Sequence, residues 1–487
     1  MTDLDESQVA EVVRRVLERV LPSIQSATSI EEPERTLPRP CPAPMVMIPA
    51  TRAGVYEDVD TAVTAAKAAF SRYEAAPLAL RFQIIEAIRI RARAEIETLS
   101  RRAVEETGLG RYDHKIQKNR LVIDRTPGPE ILQPEAWSGD HGLTLTERAP
   151  YGVIGAITPT TNPTETIICN GIGMLAGGNA VVFNVHPAAR HVSNFLVGAL
   201  NEAIIAAGGP AGLIASVADP TIESAQALMK HPGVRLMVVT GGGGVVRAAM
   251  TSGKRTIAAG PGNPPVVVDE TADLERAGRG IVEGGSLDNC IVCTAEKEVI
   301  VVEQIADRLR KNIEERGGYF VSDRERSRLE DLVLMGDGRS ARKDWIGKDA
   351  SKILEAIGGR SAHPVEILLV EGDEQSPFVQ AELLMPVLGF VRVRSVDDAI
   401  AMAKRVEHGF GHTAAMYSTR VDRLHAMARA IDTSIFTKNA PTFAGIGLGG
   451  EGYTSFTIAS PTGEGLTNAR HFTRERRCTL VDAFRIV

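Results

Sequence analysis

No stretch of the 487-residue sequence holds the run of about 18 apolar residues that a membrane-spanning helix needs, so no membrane span is expected. The first residues have no continuous apolar core of the secretory kind, because their apolar positions are periodic. Cysteine is scarce: five in the whole chain, an odd and sparse number that excludes a disulfide framework and fits a reducing compartment. Net charge is −6, with no global basic field, so nucleic acid is not an expected partner. The one arginine-rich piece, Arg474-Glu475-Arg476-Arg477, is short, carries a glutamate and reads as a solvated or inter-subunit face. No metal site is expected. Cys290 and Cys293 form a C-x-x-C pair, but no second pair and no suitably spaced histidine lies near it. Its mid-chain position also differs from that of a thioredoxin-like redox pair. What remains is an ordinary globular composition, 44% hydrophobic and 24% charged, long enough for more than one domain.

The first segment stands apart. Val9, Val12, Val13, Val16, Leu17, Val20 and Leu21 recur at helical spacing and form one apolar stripe, with Glu11, Arg14, Arg15, Glu18 and Arg19 on the other face. Asp5 or Ser7 can cap this helix and Pro22 stops it. A linker rich in Pro, Ser, Glu and Arg follows, from Ser26 to Pro44. A short helix on a loose tether cannot bury its stripe locally and needs a partner, either another protein or the chain's own globular body.

From about Gly54 helix and strand patterns alternate. Amphipathic helices are predicted over Asp60 to Tyr73 and Leu78 to Thr107, and short buried strands over Val153 to Ile157 and Ala180 to Phe183. A helix over Asn162 to Leu175 separates those strands. Helix Ala188 to Ala207, strand Leu236 to Val239, helix Val245 to Thr251 and strand Pro265 to Val268 continue the series. Beyond Cys293 come strand Glu298 to Val302, helix Gln304 to Glu315, strand Ile367 to Glu371 and helix Val396 to Val406. Alternation of this kind predicts an α/β fold with doubly wound parallel sheets in two units.

Four local features carry chemistry. Cys293, in Asn289-Cys290-Ile291-Val292-Cys293-Thr294, is placed for covalent attack on a carbonyl: a thiolate adds to an aldehyde, and the adduct loses hydride to a nicotinamide to leave a thioester. Taken alone, a single cysteine is more often core than nucleophile. The turn Thr240-Gly241-Gly242-Gly243-Gly244 follows an apolar strand and opens a helix, which lets the backbone approach a pyrophosphate. It is not the G-x-G-x-x-G fingerprint, and four glycines also make a tight loop. Asn162 follows a strand at a helix start, where its amide can donate to an oxyanion; taken alone it reads as an N-cap. Glu382, in an apolar loop bounded by Pro386, needs partners that either ligand hydroxyls or a salt bridge would supply.

In combination these segments resemble the aldehyde dehydrogenases, and within them the CoA-acylating branch of bacterial microcompartments: the propionaldehyde and acetaldehyde dehydrogenases of propanediol and ethanolamine utilisation. The resemblance rests on Thr158-Pro159-Thr160-Thr161-Asn162-Pro163, Val181 to Pro187, Thr240-Gly241-Gly242, Ala259 to Pro265, Asn289 to Lys297, Glu382 to Val387 and Gly411-His412-Thr413, in family order. It implies Cys293 as nucleophile, and Asn162 with the Cys293 backbone amide as oxyanion hole. It implies Thr158, Pro159, Thr160, Thr240, Gly241, Gly242, Val246, Glu382 and Pro386 as the cofactor-binding set, with Glu382 on the nicotinamide ribose. NAD and coenzyme A are the implied cofactors and a short-chain aldehyde the implied substrate.

Two departures bear on the chemistry. Hydrolytic members of the family carry a water-activating glutamate where this chain has Ile257-Ala258-Ala259-Gly260-Pro261-Gly262-Asn263, without a carboxylate. Water lacking a general base is a poor nucleophile toward a thioester, whereas a partly ionised thiol such as CoA needs less help. Asn184 stands where the family usually has a lysine on the adenosine ribose. The resemblance further implies residues 1–21 as an encapsulation helix meeting shell or cargo proteins, 22–50 as linker, and 51–262 as the NAD-binding domain. It implies 263–470 as the catalytic domain and 471–487 as a C-terminal strand. That strand would join Leu143 to Arg148 in an oligomerisation flap of a dimer or tetramer inside a microcompartment. A hydrolytic enzyme and a non-catalytic scaffold are the competing readings.

Overall fold

The computed structural model describes residues 53–487. The helix predicted over residues 1–21 and the linker over 22–50 lie outside the described residues.

Two parallel sheets organise the chain. The first runs, in spatial order, Val55–Tyr56, Ile214–Val217, Ala180–Asn184, Val153–Ile157, Leu236–Thr240 and Arg255–Ala259. The second runs Gly318–Phe320, Ile367–Gly372, Val387–Val393, Glu298–Val302, Pro265–Val268, Thr413–Tyr417 and Ile435–Lys438. Central strands such as Val153–Ile157, Ala180–Asn184 and Glu298–Val302 are buried at every position. That is why they read as continuous apolar runs and not as alternating ones: helices cover both faces. In the first sheet the chain steps outward from Val153–Ile157 through Ala180–Asn184 to Ile214–Val217, beside the edge strand Val55–Tyr56. It then returns to lay Leu236–Thr240 on the other side. A crevice opens at that reversal, at the carboxyl ends of the strands.

Most predicted elements are found within a residue or two of their expected ends. The helix predicted over Leu78 to Thr107 is two, Leu78–Ala94 and Ile96–Thr107, because Glu95 leaves helical geometry at φ −100° and ψ 2°. The strand Arg255–Ala259 was not expected; its first residues are exposed, so only its second half carries an apolar signal. The predicted pairing of Leu143 to Arg148 with the C-terminus is a three-stranded antiparallel sheet of Glu135–Gly139, Gly142–Pro150 and Thr473–Val481. Its last strand spans Thr473–Val481 and not the whole of 471–487, since Asp482 and Ala483 turn to positive φ.

The C-terminal part of the chain folds back before reaching that sheet. Phe456, Ile458, Ala459, Ala469 and Phe472 pack into the core of the first sheet. Asn179 holds the return. Its buried Nδ2 donates to the carbonyls of Met174 and Phe472, and its Oδ1 accepts from the amides of Tyr151 and Gly152. All four amide valences are used on backbone groups from three separate segments. Asn179→Leu, similar in volume but without hydrogen bonds, leaves those groups unsatisfied in the interior. It is expected to lower stability by more than about 3 kcal/mol, measured by urea unfolding of the purified protein.

Candidate active site

A cavity of about 560 Å³ occupies the crevice. Its floor comes from the carboxyl ends of four parallel strands: Ile157 to Asn162, Asn184 to Pro187, Thr240 to Gly242 with Gly244 and Val245, and Gly260 with Pro261. Cys293, Ile291, Glu382 and Leu384 close it from the second sheet's side, and Phe456 from the returning C-terminal segment. The lining is mostly apolar, with a few polar groups, the usual make-up of a small-molecule site.

Each predicted feature has a local cause. Gly242 is the N-cap of the Gly243–Met250 helix and brings no side-chain acceptor to the first-turn amides. A Cβ added at Gly242, Gly243 or Gly244 would meet nothing within 4 Å. An anion can therefore reach those N–H groups without obstruction, which fits a pyrophosphate. Thr158 adds a buried hydroxyl with no partner among the described residues.

Asn162 occupies the N-cap position of the Pro163–Ala176 helix, yet its side chain makes no capping bond. The Lys118 ammonium donates to its Oδ1 at 2.6 Å. Its Nδ2 donates to Thr161 Oγ1 at 3.2 Å, which leaves the second N–H for the cavity. Glu382 has no ion-pair partner among the described residues. Its carboxylate accepts the Gly262 amide at 3.2 Å, and burial raises its pKa.

The two neighbouring cysteines have opposite settings. Cys290 is fully buried, 3.2 Å from the Lys297 ammonium, which also donates to the Cys290 carbonyl at 2.8 Å. Cys293 is partly exposed and lines the cavity. The apolar surroundings, then the charge on Glu382, push the Cys293 thiol up to about 12, against the opposing pull of Lys297. Behind it, Gly262 is wedged between the His412 ring and the Cys293 carbonyl: a Cβ there would lie 2.9 Å from His412 Cγ and 3.0 Å from Cys293 O. Burial, then Lys297, pushes His412 down to about 4, so its ring is neutral, with Nδ1 on Thr413 Oγ1. Among the described residues no three His, Cys, Asp or Glu gather to hold a metal ion.

The model of the aldehyde dehydrogenase family matches residues 30–465, most of the chain. This chain belongs to the aldehyde dehydrogenase family. It is 46% identical over 490 residues to acetaldehyde dehydrogenase (acetylating) EutE of Salmonella typhimurium, covering 99% of this chain and 100% of that protein. It is similar to the crystal structure of Rhodopseudomonas palustris propionaldehyde dehydrogenase with bound CoA and an acylated cysteine. There the TM-score is 0.88 at 51% identity over 89% of this chain and 100% of that one. The propionaldehyde dehydrogenase of the Clostridium phytofermentans fucose utilisation microcompartment gives a TM-score of 0.88 at 49% identity, over 89% and 100%.

Of the residues expected to meet the cofactor in this aldehyde dehydrogenase, Thr158, Pro159, Thr160, Thr240, Gly241, Gly242 and Glu382 line the cavity, as do Cys293 and Asn162. Val246 and Pro386 do not. Val246 faces the core and its neighbour Val245 faces the cavity, while Pro386 is buried and its carbonyl accepts the Leu368 amide. His186, Thr221, Ile222 and Phe456 line the cavity unforeseen. Four charges behind the cavity were also unforeseen: Lys115, Lys118, Glu165 and Asp288, all fully buried. A signal for the lysines existed. Lys115, Lys118 and Val122 share one helical stripe, so two lysines sit where core residues belong.

Because Glu382 contributes to the high pKa of Cys293, Glu382→Gln should lower that pKa and enlarge the thiolate fraction at fixed pH. Alkylation of Cys293 by iodoacetamide at pH 8, followed by mass spectrometry, should be several-fold faster in the variant, one pKa unit being worth about tenfold in thiolate.

Proposed function

We propose that this aldehyde dehydrogenase converts a short-chain aldehyde, CoA and NAD⁺ to acyl-CoA, NADH and H⁺ through a thioester on Cys293. The observation that carries this reading is the make-up of the cavity. Among the described residues one thiol opens into it, and Glu382 is the one carboxylate that lines it. No carboxylate occurs from Ile257 to Asn263.

Cys293 Sγ loses its proton and adds to the carbonyl carbon of the aldehyde. The negative charge that develops on oxygen meets the free N–H of Asn162 Nδ2 and the Cys293 backbone amide, which are fixed before the reaction begins. NAD, when bound, supplies the hydride acceptor that oxidises the adduct to the thioester. Thr158, the Thr240–Gly244 turn and Glu382 would hold it. The acyl group then passes to the thiolate of CoA and Cys293 is released. Hydrolysis would need a base to activate water, and Glu382 is already engaged by the Gly262 amide. The acetylating name of the Salmonella relative and the CoA bound beside an acylated cysteine in the Rhodopseudomonas structure support the same choice.

In this reading residues 51–262 form the cofactor side and 263–470 the thiol side. The sheet of Glu135–Gly139, Gly142–Pro150 and Thr473–Val481 is the surface through which the chain assembles into a homo-oligomer. The setting is a bacterial microcompartment, as for the Clostridium phytofermentans enzyme, with residues 1–21 as the element that engages shell or cargo proteins.

With propionaldehyde and NAD⁺ but no CoA, NADH absorbance should rise by about one equivalent per active site and stall. Adding CoA restores steady turnover. Cys293→Ala abolishes both phases, whereas Cys290→Ala keeps them; sustained NADH formation without CoA would instead mark a hydrolytic enzyme.

Residues 1–21 should be dispensable for chemistry and sufficient for encapsulation. Burying each Val or Leu of their stripe is worth roughly 1.5–3 kcal/mol, enough in sum to order a short helix on a partner. A fluorescent protein carrying residues 1–21 should co-purify with microcompartments, and the Val16→Glu, Val20→Glu version should stay diffuse.

A further inference from the structure

Lys118 is fully buried, and its ammonium touches three oxygens: Asp288 Oδ2 at 2.5 Å, Asn162 Oδ1 at 2.6 Å and Glu165 Oε1 at 3.0 Å. One turn earlier on the same Tyr112–Arg125 helix, Lys115 reaches Asp288 Oδ2 at 3.0 Å and the Thr161 carbonyl at 3.4 Å. Two lysines and two carboxylates thus form a neutral set with no exposure to solvent. Burial works against the Lys118 charge, but Asp288 and Glu165 outweigh it and hold its pKa above the usual lysine value. Burial likewise opposes the Asp288 charge, yet Lys115 and Lys118 keep that carboxyl at about 2. Such a set is a poor source of stability: apolar side chains of the same volume commonly do as well. Its geometry offers another role.

A lysine ammonium has three donors and no acceptor. An amide facing it must present oxygen, so the NH₂ of Asn162 is turned the other way, toward the cavity that Asn162 lines. Without Lys118 the amide could rotate by half a turn and aim its oxygen, a second negative dipole, at the developing oxyanion. The same ammonium grips Asp288, where the segment leading to Cys293 begins.

We propose that Lys118 is a positioning residue for the reaction: it fixes the orientation of the Asn162 amide so that its free N–H faces the substrate oxygen. This rests on reading Asn162 as an oxyanion donor.

The test is a double-mutant cycle on the full-length enzyme with propionaldehyde, CoA and NAD⁺, using Asn162→Ala, Lys118→Met and the double variant. Asn162→Ala should lower kcat by about 10²- to 10³-fold, the usual loss for one oxyanion donor. Lys118→Met should lower kcat by about 10- to 100-fold, as misplacement without lost contact does, with KM for propionaldehyde and NAD⁺ little changed. The double variant should be no slower than Asn162→Ala, since Lys118 acts through the amide that is gone. Lys118→Gln, whose amide can still donate to Asn162 Oδ1, should recover part of the rate.

A Lys118→Met loss that multiplies with that of Asn162→Ala would overturn the proposal, as would an effect on KM alone. If neither Lys118 variant yields folded enzyme by circular dichroism, Lys118 is a structural group and the proposal falls. Wild-type kcat in Asn162→Ala would instead remove the oxyanion reading itself, and this inference with it, while leaving the Cys293 thioester untouched.

Discussion

Asp288, Asn289 and Cys290 occupy the left-handed region in succession, at φ 49°, 54° and 61°, although none is glycine. Each such residue costs on the order of 1–3 kcal/mol and persists only where its surroundings over-determine it. Here they do. The Arg111 amide donates to Asp288 Oδ1, Lys115 and Lys118 hold its Oδ2, and the Asp288 amide donates to His114 Nδ1. Arg111 Nε and the Gly347 carbonyl hold the Asn289 amide, and Lys297 holds the Cys290 carbonyl. This strained turn swings the chain so that Cys290 points inward and Cys293, three residues later, opens to the cavity. The placement of the thiol, the neutral charge set and the orientation of Asn162 all follow from it.

That constraint explains what could be read in the sequence and what could not. Strands such as Val153–Ile157 and Glu298–Val302 were legible because a parallel strand buried on both faces must be apolar throughout. Cys293 and the glycine turn, each ambiguous alone, were expected at one site from the resemblance, and both line the cavity. The charge set was not, because it joins residue 118 to residues 165 and 288, and no local pattern encodes a contact over such a separation. The break at Glu95 was hidden for a different reason: the apolar period continues across it, and nothing in the residue itself stops a helix. Asn162 was misleading alone, since an N-cap and an oxyanion donor want the same residue type at the same place. The Asn162 side chain makes no capping bond, and its Oδ1 faces the Lys118 ammonium.

The cavity is lined from two sides. The first sheet contributes strand ends and the start of the Gly243–Met250 helix, where no side chain covers the first-turn amides. Cys293 and Glu382 come from the second sheet's side. Burial pushes the Cys293 thiol up to about 12, holds His412 neutral and raises the Glu382 carboxyl above its ordinary value, so neither the thiol nor the imidazole is charged before a ligand brings its own charge. Electrostatic terms introduced by that ligand then act in a medium of low polarity, where they are strong.

The strand Thr473–Val481 lies at the open edge of its sheet, with its residues from Arg474 onward exposed. A bare edge of nine residues would invite any extended peptide to add itself by backbone pairing. Arg474, Arg476 and Arg477 crowd three guanidiniums into four positions along it. An incoming strand that lacks matching carboxylates meets repulsion or an uncompensated desolvation penalty, so indiscriminate sheet growth is discouraged while a complementary neighbour is still admitted. At high protein concentration, that guard separates ordered pairing from gelation.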